Sequence, residues 1–283
     1  MTRTPSIILF GSNGQLGQAI ERVAEERGIA CVSFDRQSAD VTEAGMVAGA
    51  LARVTGGLVV NAAAYTAVDR AESEEQLAFK VNCDGARNIA EACSRLGLPL
   101  VHVSTDYVFD GTKSSAYLET DPVSPLSAYG RSKEAGERAV RDACAHAMIF
   151  RTAWVFGVEG ANFVKTMLRL GRERETLRVV DDQHGCPTFA DDLASAIIGA
   201  AARFQPGTYH VTGYGQTTWC GFAREIFRGQ AKPVVMPIRT ADYPTPARRP
   251  ANSVLDGAKA REILGIELPH WTDGLRRMME MLK

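Results

Sequence analysis

The sequence has little net charge and no long apolar run, and each absence excludes a class of protein. Its 32 lysines and arginines balance 33 aspartates and glutamates, which leaves no electrostatic footprint for a nucleic-acid or acidic-membrane binder. No stretch approaches the roughly 18 apolar residues of a membrane span. The start of the chain has only the short apolar run Ile7–Phe10, which is too short for the core of a signal peptide.

The sequence also lacks paired cysteine motifs. Its six cysteines include no CxxC and have no histidine close enough to form a zinc pattern. Dispersed cysteines in a chain without an export signal are typical of reduced thiols. We therefore expect a cytoplasmic protein, and a chain of 283 residues is long enough to bury a core without disulfides or metals. The cysteines are Cys31, Cys83, Cys93, Cys144, Cys186 and Cys220.

The first half of the chain alternates short apolar runs with segments of helical spacing. One segment carries a helical stripe from Leu16 to Val23, and a second runs from Leu77 to a stop at Gly97. Because the short runs are apolar on both faces, they predict a parallel sheet covered by helices on both sides. The predicted strands are Ser6–Phe10, Ala30–Phe34, Leu58–Asn61, Leu100–Ser104 and Met148–Thr152.

The second half is more mixed. Thr188–Asp191 has the pattern of a capping box that opens a helix over Asp192–Phe204. Two turn-rich loops, Asp110–Pro125 and Pro237–Pro250, are long enough to frame a substrate cleft. The other predicted elements are the helices Asn162–Arg172 and Thr218–Phe227 and the strands Leu177–Val180 and Gly207–Thr212.

A glycine-rich turn follows the first predicted strand and opens the first helix, with the sequence Gly11-Ser12-Asn13-Gly14-Gln15-Leu16-Gly17. Glycines there let the backbone turn tightly and approach a pyrophosphate, which the exposed N–H groups and the helix dipole favour. A βα turn without a ligand is the alternative. The fold class that we predict is α/β, a Rossmann-type doubly wound parallel sheet with a smaller mixed C-terminal domain. Residues 1–155 and parts of 188–213 would bind a dinucleotide, and 156–283 would mainly bind substrate.

Acidic and small residues follow the next two strands. Asp35 comes about 20 residues after the glycines, where an acid hydrogen-bonds the adenosine ribose. Its carboxylate favours NAD(H), whereas the neighbouring Arg36 suits the 2′-phosphate of NADP(H), so the bias is weak. Asp40 fits a helix cap and an adenine contact equally well. Asn61-Ala62-Ala63-Ala64 ends the third strand with small side chains that leave room for a ligand, although packing alone explains alanines too.

The combination that decides the interpretation is Ser104-Thr105-Asp106-Tyr107 at the end of the fourth strand, followed by Tyr129 and Lys133. Tyr129 and Lys133 are four residues apart and share one face of a helix. An ammonium beside a phenol lowers the pKa of the phenol, and such a tyrosine donates a proton to a carbonyl oxygen as hydride reaches the carbon. Thr105 can hold the same oxygen with its hydroxyl.

At this point the sequence resembles the extended short-chain dehydrogenase/reductases, and within them the dTDP-4-dehydrorhamnose reductase family. The resemblance spans essentially the whole chain. It depends on the glycine turn, on the Thr105, Tyr129 and Lys133 motifs, and on later blocks that separate this family from epimerases and dehydratases of the same fold. These blocks are Asn61–Asp69, Arg151–Val155, Asn162–Met167, Asp182–Thr188 and Arg249–Ser253.

The resemblance implies roles for matching positions. Tyr129 would be the proton donor, Lys133 its electrostatic partner and Thr105 the group that orients the carbonyl. The substrate would meet Thr105, Asp106, Trp154 and Asn162, and Arg249 in the proline-rich loop would meet the nucleotide diphosphate. The cofactor would contact Tyr129, Lys133 and residues of three segments, namely Gly11, Asn13, Gly14, Gln15, Leu16 and Gly17, then Asp35, Arg36, Asp40 and Val41, and finally Ala63, Ala64, Tyr65 and Thr66.

The resemblance raises one question about metals. Some members of the family place Mg²⁺ at a dimer contact through acidic residues, and Asp191 and Glu280 would correspond. Asp191 is already explained as a helix-cap residue and Glu280 as part of a solvated helix face. We therefore expect no required metal. The family often has histidine where this chain has Tyr65, a change that backbone contacts to the cofactor would survive.

The function that the resemblance implies is NADPH- or NADH-dependent reduction of the C4 ketone of dTDP-4-dehydro-6-deoxy-L-mannose, giving dTDP-L-rhamnose for cell-surface polysaccharide. Two alternatives stay open. One is a nucleotide-sugar epimerase or dehydratase of the same fold. The other is a non-catalytic dinucleotide-binding regulatory subunit, like the beta subunit of methionine adenosyltransferase. We expect a nucleotide sugar as the partner, with no nucleic acid and no membrane, and the sequence leaves a homodimer open.

Overall fold

The structure, a computed structural model, describes residues 6–283. Strands and helices alternate along the first half of the chain, as the sequence predicts. The strands are β1 (Ile7–Phe10), β2 (Cys31–Phe34), β3 (Leu58–Asn61), β4 (Leu100–Thr105), β5 (Ala147–Thr152), β6 (Val155–Phe156), β7 (Thr176–Val180), β8 (His184–Gly185), β9 (Thr188–Phe189), β10 (Gly207–His210), β11 (Thr217–Thr218) and β12 (Val234–Ile238).

The helices are α1 (Gln15–Glu26), α2 (Ala44–Leu51), α3 (Val68–Ala71), α4 (Glu75–Phe79), α5 (Gly85–Leu96), α6 (Ala128–Ala143), α7 (Phe163–Glu173), α8 (Ala190–Ala200), α9 (Trp219–Ile226) and α10 (Trp271–Met281). No helix within residues 6–283 is long and apolar enough to cross a membrane.

Six strands form one parallel sheet in the order β2, β1, β3, β4, β5 and β10. The chain moves outward from β1 to β2 and then crosses to β3 on the other side of β1. The strand order therefore reverses next to β1, and the crevice outside the carboxyl ends of β1 and β3 is where open α/β sheets bind ligands.

Both faces of this sheet are buried, which confirms the predicted fold class. Ile7 and Leu9 pack with α1 and α8 in one apolar cluster. Ile8 and Phe10, the residues in between, pack with α2 and α5 in another. Because alternate residues of a strand point to opposite faces, a strand that is apolar throughout requires helices on both sides.

The second half of the chain builds a smaller region beside the sheet. It contains three two-stranded pairs, β6 with β9, β7 with β12 and β8 with β11. A third apolar cluster fills it, with Phe156 from β6, Phe222 from α9 and Trp271 from α10. Strand β10 leaves this half and completes the main sheet beside β5. The domain boundary near residue 155 remains a prediction.

The helix predicted from Leu77 to Gly97 is interrupted. A π-helical turn, Lys80–Asp84, lies between α4 and α5. A π-turn adds one residue to a helix and is frequent at functional sites. Here it carries Asn82, whose backbone oxygen lies so close to Gly136 of α6 that a Cβ atom there would be 2.1 Å away. The helix ends as expected at Gly97, which has a φ of 65°.

Candidate active site

Three predicted catalytic side chains come from two neighbouring elements. Thr105 ends β4, and its hydroxyl donates to Asp106 Oδ1 (2.9 Å) and accepts from the backbone N–H of Tyr107 (3.2 Å). Ser127 caps α6 by accepting from the N–H of Gly130 (3.1 Å). The cap places Tyr129 in the first turn of α6.

Tyr129 is buried, with 9% of its surface exposed. Burial raises the pKa of its phenol to about 12, and a hydrogen bond with Thr105 opposes that rise. The pKa lowering that we expected from Lys133 is therefore wrong. The Lys133 Nζ donates to the backbone oxygen of Val103 (2.7 Å). Desolvation of the phenol is the main cause of the raised pKa, and the nearby charge of Asp106 raises it further. Tyr129 is consequently a protonated phenol at neutral pH.

Lys133 is 2% exposed. Burial lowers the pKa of its ammonium to about 8, and the charge of Glu137 one turn further along α6 opposes that shift. Asp106 is also buried. Burial raises the pKa of its carboxyl to about 6, against the hydrogen bond that the Thr105 hydroxyl donates to Oδ1. Its Oδ2 atom has no hydrogen-bond partner within residues 6–283, which leaves an acceptor for a ligand hydroxyl.

The glycine-rich turn packs directly against the backbone that follows β3. Gly11 has a φ of 88°, and a Cβ atom there would lie 2.5 Å from the backbone nitrogen of Ala63. A Cβ atom at Gly17 would lie 2.2 Å from the oxygen of Gly11. Gly14 precedes the first residue of α1. Side chains are thus excluded where a pyrophosphate would approach the N-terminus of α1, and the turn fits a dinucleotide.

Gln15 and Asn162, which the sequence assigned to cofactor and substrate respectively, are brought together. The Asn162 side chain donates to Gln15 Oε1 (2.8 Å), and Gln15 Nε2 donates to the backbone oxygen of Val155 (3.1 Å). Leu16 packs against the core beneath the sheet. The segment after β5 therefore covers the glycine turn.

The acidic residue after β2 is held beside the glycine turn. The Asn13 side chain donates to Asp35 Oδ2 (3.0 Å), which ties the glycine turn to the acid. Hydrogen bonds from the side chain and backbone of Ser38 keep the pKa of Asp35 below its ordinary value. Arg36 is exposed and pairs with Asp40 (3.3 Å).

Asp40 does not cap a helix. Its Oδ1 accepts from the N–H of Thr42 (2.9 Å), whereas α2 begins later with Glu43 as its N-cap residue. Of the two functions that the sequence left open for Asp40, capping is therefore wrong. The next residue, Val41, is buried beside α5, where a Cβ atom at Gly85 would be 2.7 Å from it.

The residues after β3 lie between the sheet and α6. The N–H of Ala63 donates to Asn61 Oδ1 (3.1 Å), and Ala64 and Tyr65 follow, partly exposed, with Thr66 exposed. Sequence reasoning missed the residue that holds this loop. Asn82 of the π-turn accepts from the N–H of Tyr65 (2.8 Å).

Asn82 also joins the loop to the catalytic helix. Its side-chain nitrogen donates to the hydroxyl of Ser132 (2.9 Å), and Ser132 lies directly before Lys133. Ser132 in turn donates to the backbone oxygen of Tyr129 (2.8 Å). The sequence signal that could have identified Asn82 is a polar residue at a buried position of an apolar helical stripe.

Two of the expected substrate contacts are already engaged with protein. The Trp154 indole stacks on Trp219, with ring centroids 3.6 Å apart, and its backbone has a φ of 47°, in the left-handed region. Such strain is found most often at functional sites. The Arg249 guanidinium pairs with Asp69 (2.9 Å), so it links the proline-rich loop to α3 rather than standing free in solvent.

The two acids that would hold Mg²⁺ each face an arginine. Asp191 pairs with Arg22 of α1, and Glu280 pairs with Arg276 (3.0 Å). The capping-box interpretation of Asp191 is wrong, because α8 begins after Phe189 and no side chain caps it within the described residues. No group of three or more potential ligands within residues 6–283 could hold a metal ion. Within this chain each acid is thus already neutralised by an arginine, and the expectation of no required metal stays a prediction.

A doubly wound sheet whose switch point holds a glycine turn, beside a tyrosine, a lysine and a threonine, defines a protein of the short-chain dehydrogenase/reductase class. Comparison with known proteins specifies it further. The family described as RmlD substrate binding domain matches residues 5–283, and the chain belongs to this family.

Curated and solved relatives agree with this assignment. A dTDP-4-dehydrorhamnose reductase of Burkholderia thailandensis is 45% identical over an alignment of 283 positions, which covers 94% of this chain and 95% of the relative. The spore coat polysaccharide biosynthesis protein SpsK of Bacillus subtilis is 36% identical, over 97% and 96% of the two chains. The solved dTDP-4-dehydrorhamnose reductase of Bacillus anthracis, in complex with NADP, superposes with a TM-score of 0.94 at 37% identity, over 98% and 99%.

Proposed function

We propose that this protein reduces the C4 ketone of dTDP-4-dehydro-6-deoxy-L-mannose to dTDP-L-rhamnose, with NADPH or NADH as the reductant. The observation that carries the proposal is the meeting of Thr105, Tyr129 and Lys133 beside a glycine turn, in a chain that matches dTDP-4-dehydrorhamnose reductases over nearly its full length. The product is a sugar donor for cell-surface polysaccharide.

When bound, the nicotinamide supplies hydride to C4 of the sugar. Tyr129 gives its phenolic proton to the oxygen that becomes the C4 hydroxyl, and its pKa of about 12 keeps that proton in place until the oxygen turns basic. The Thr105 hydroxyl orients the same oxygen. Lys133, as an ammonium, stabilises the phenolate that remains, because an opposite charge nearby favours the ionised phenol.

The glycine turn and the first turn of α1 would hold the pyrophosphate of the cofactor, and Asp35 would accept from the adenosine ribose. An ionised Asp35 disfavours a 2′-phosphate, whereas Arg36 is 80% exposed along its side chain and can turn towards one. Both NADH and NADPH therefore fit. The adenine would lie along Asp40 and Val41, and the nicotinamide end along Ala63, Ala64, Tyr65 and Thr66.

We assign the sugar nucleotide to the opposite side of Tyr129. Asp106 offers its unpartnered Oδ2 to a sugar hydroxyl, Trp154 offers the edge of its stacked indole, and Asn162 lies where the two ligands meet. Arg249 would leave or share Asp69 to meet the diphosphate. We also assign the protein to the cytoplasm, because its cysteines are free thiols. A homodimer is a further hypothesis, which light scattering of the purified protein would test.

The test is a turnover assay with purified protein. Mixing it with the keto-sugar and either nucleotide should oxidise one equivalent of NADPH or NADH for each sugar reduced. An epimerase or dehydratase of the same fold would instead recycle its nucleotide, and a regulatory subunit would bind nucleotide without turnover. A folded preparation that binds nucleotide but consumes neither reductant would remove the proposal.

A further inference from the structure

A buried ion pair lies directly beneath the catalytic side chains. Glu137 of α6 is 0% exposed and Arg151 of β5 is 3% exposed. Two hydrogen bonds join them, from Arg151 Nε to Glu137 Oε1 (2.9 Å) and from Arg151 Nη2 to Glu137 Oε2 (2.7 Å). Burying two charges costs free energy that a close contact only partly returns. A pair of this kind therefore calls for a reason other than stability.

The pair connects the elements that carry the catalytic residues. The Ser104 hydroxyl donates to Glu137 Oε1 (2.6 Å), and Ser104 immediately precedes Thr105 on β4. Ser104 and Arg151 are also register partners across β4 and β5. Glu137 lies one turn after Lys133 on α6. One carboxylate therefore fixes the end of β4 relative to the helix that presents Tyr129 and Lys133.

The carboxylate of Glu137 favours the charged form of Lys133. The ammonium donates to a neutral backbone oxygen, and Glu137 is the charged group that favours its protonated form. The other ionisable groups around this buried patch include His210 of β10 and the buried acid Asp106. Burial lowers the pKa of His210 to about 3, and its ring is influenced by both Arg151 and Glu137, whereas the charge of Asp106 acts on Tyr129. Arg141 on α6 reaches Glu137 (3.1 Å), Arg151 comes from β5, and His102 on β4 is buried with its pKa held well below the ordinary value by burial and by Lys133.

We propose that Glu137, held by Arg151 and Ser104, is a positioning residue that keeps Lys133 in its ammonium form and in register with Thr105. This inference depends on the function proposed above. The inference adds Glu137, a carboxylate that would contact neither the nucleotide nor the sugar. It would act instead through Lys133, whose charged form it favours.

The sign of the effect follows from the charges. Lys133 loses its proton as the pH rises through its pKa of about 8, so turnover should fall on the alkaline side of the profile. Removing the negative charge of Glu137 lowers that pKa further. The alkaline limb of kcat should then move towards lower pH, by on the order of one pH unit for a neighbouring opposite charge.

The test compares Glu137→Gln with the double variant Glu137→Gln/Arg151→Met and with the control Glu134→Gln. The double variant removes both charges and so avoids an uncompensated buried arginine. Glu134 lies on the same helix, is partly buried, and pairs with the exposed Arg138 (3.1 Å) rather than with Arg151. We expect the alkaline limb to shift to lower pH in the double variant and in any folded single variant, and to stay in place in the control.

A second measurement separates this inference from the proposed function. An NMR titration of the Lys133 ammonium, assigned with Lys133→Met, reports its pKa without any sugar. A lower midpoint in the Glu137 variants would support the inference even if the keto-sugar were not turned over. A limb and a midpoint that stay fixed while kcat falls evenly at every pH would mean that Glu137 is only structural, and would overturn it.

Discussion

Replacing Tyr129 with phenylalanine removes one oxygen atom and keeps the ring. The change is nearly neutral for the fold. Tyr129 shares a hydrogen bond with Thr105, but Thr105 still donates to Asp106 and accepts from Tyr107 in its absence. The loss of one hydrogen bond costs about 0.5–1.5 kcal/mol of unfolding free energy, and the ring keeps its edge-on contact with Tyr107, whose centroid is 5.5 Å away.

The effect on the reaction should be much larger. A positioned proton donor contributes roughly 10²–10⁴-fold to the rate, which corresponds to about 3–5 kcal/mol of transition-state free energy. The phenol acts only as the ketone oxygen becomes basic. Its removal should therefore lower kcat and leave the dissociation constant of NADPH or NADH within a few-fold of the original.

The assay is single-turnover oxidation of the reduced nucleotide with saturating keto-sugar, beside a fluorescence titration of nucleotide binding. Tyr209→Phe is the matched control, because it removes a hydroxyl that bonds only to the backbone oxygen of Gln205 (3.1 Å), away from the catalytic elements. A Tyr129→Phe enzyme that turns over within a few-fold of the original protein would refute the reasoning, since another group would then supply the proton.

Three further outcomes are expected. Gly17→Ala should abolish nucleotide binding and lower the thermal midpoint, because its Cβ would lie 2.2 Å from the oxygen of Gly11; unchanged binding in an equilibrium titration would contradict the tight turn. Asp35→Asn should raise kcat/KM with NADPH relative to NADH, since it removes the charge that disfavours a 2′-phosphate, and an unchanged ratio would place the ribose elsewhere. Dialysis against EDTA should leave the turnover rate unchanged, because Arg22 and Arg276 already neutralise Asp191 and Glu280. A fall in rate that added Mg²⁺ reverses would show that a metal is required.

The local pattern of apolar residues was sufficient to predict the strands of the main sheet in the first half of the chain. The predicted third strand, Leu58–Asn61, matches β3, and the others agree within a residue in the first half of the chain, because a buried parallel strand is a short apolar run with clear breaks. The glycine turn was equally readable, since its glycines are required by contacts within a few residues of sequence and by the neighbouring strand.

What the sequence could not reveal depends on partners far along the chain. Arg249 pairs with Asp69, 180 positions away in the sequence, and Asp191 pairs with Arg22, 169 positions away. The periodicity of the sequence carries no information about such distant pairs. The π-turn at Lys80–Asp84 was missed because one added residue barely disturbs a helical stripe. The pKa of Tyr129 was expected to fall because Lys133 is near in sequence, but the degree of burial that raises it is set by the whole fold.

The late position of β10 in the sequence has a consequence for how the protein is made. On the ribosome, β5 emerges long before Gly207–His210 exists, so the outer edge of β5 waits with unpaired backbone groups while the intervening segment is still being translated. Exposed sheet edges promote association between chains. A shortened gene that stops after β5 would make that transient state permanent, and the product should collect in inclusion bodies rather than serve as a minimal nucleotide-binding fragment.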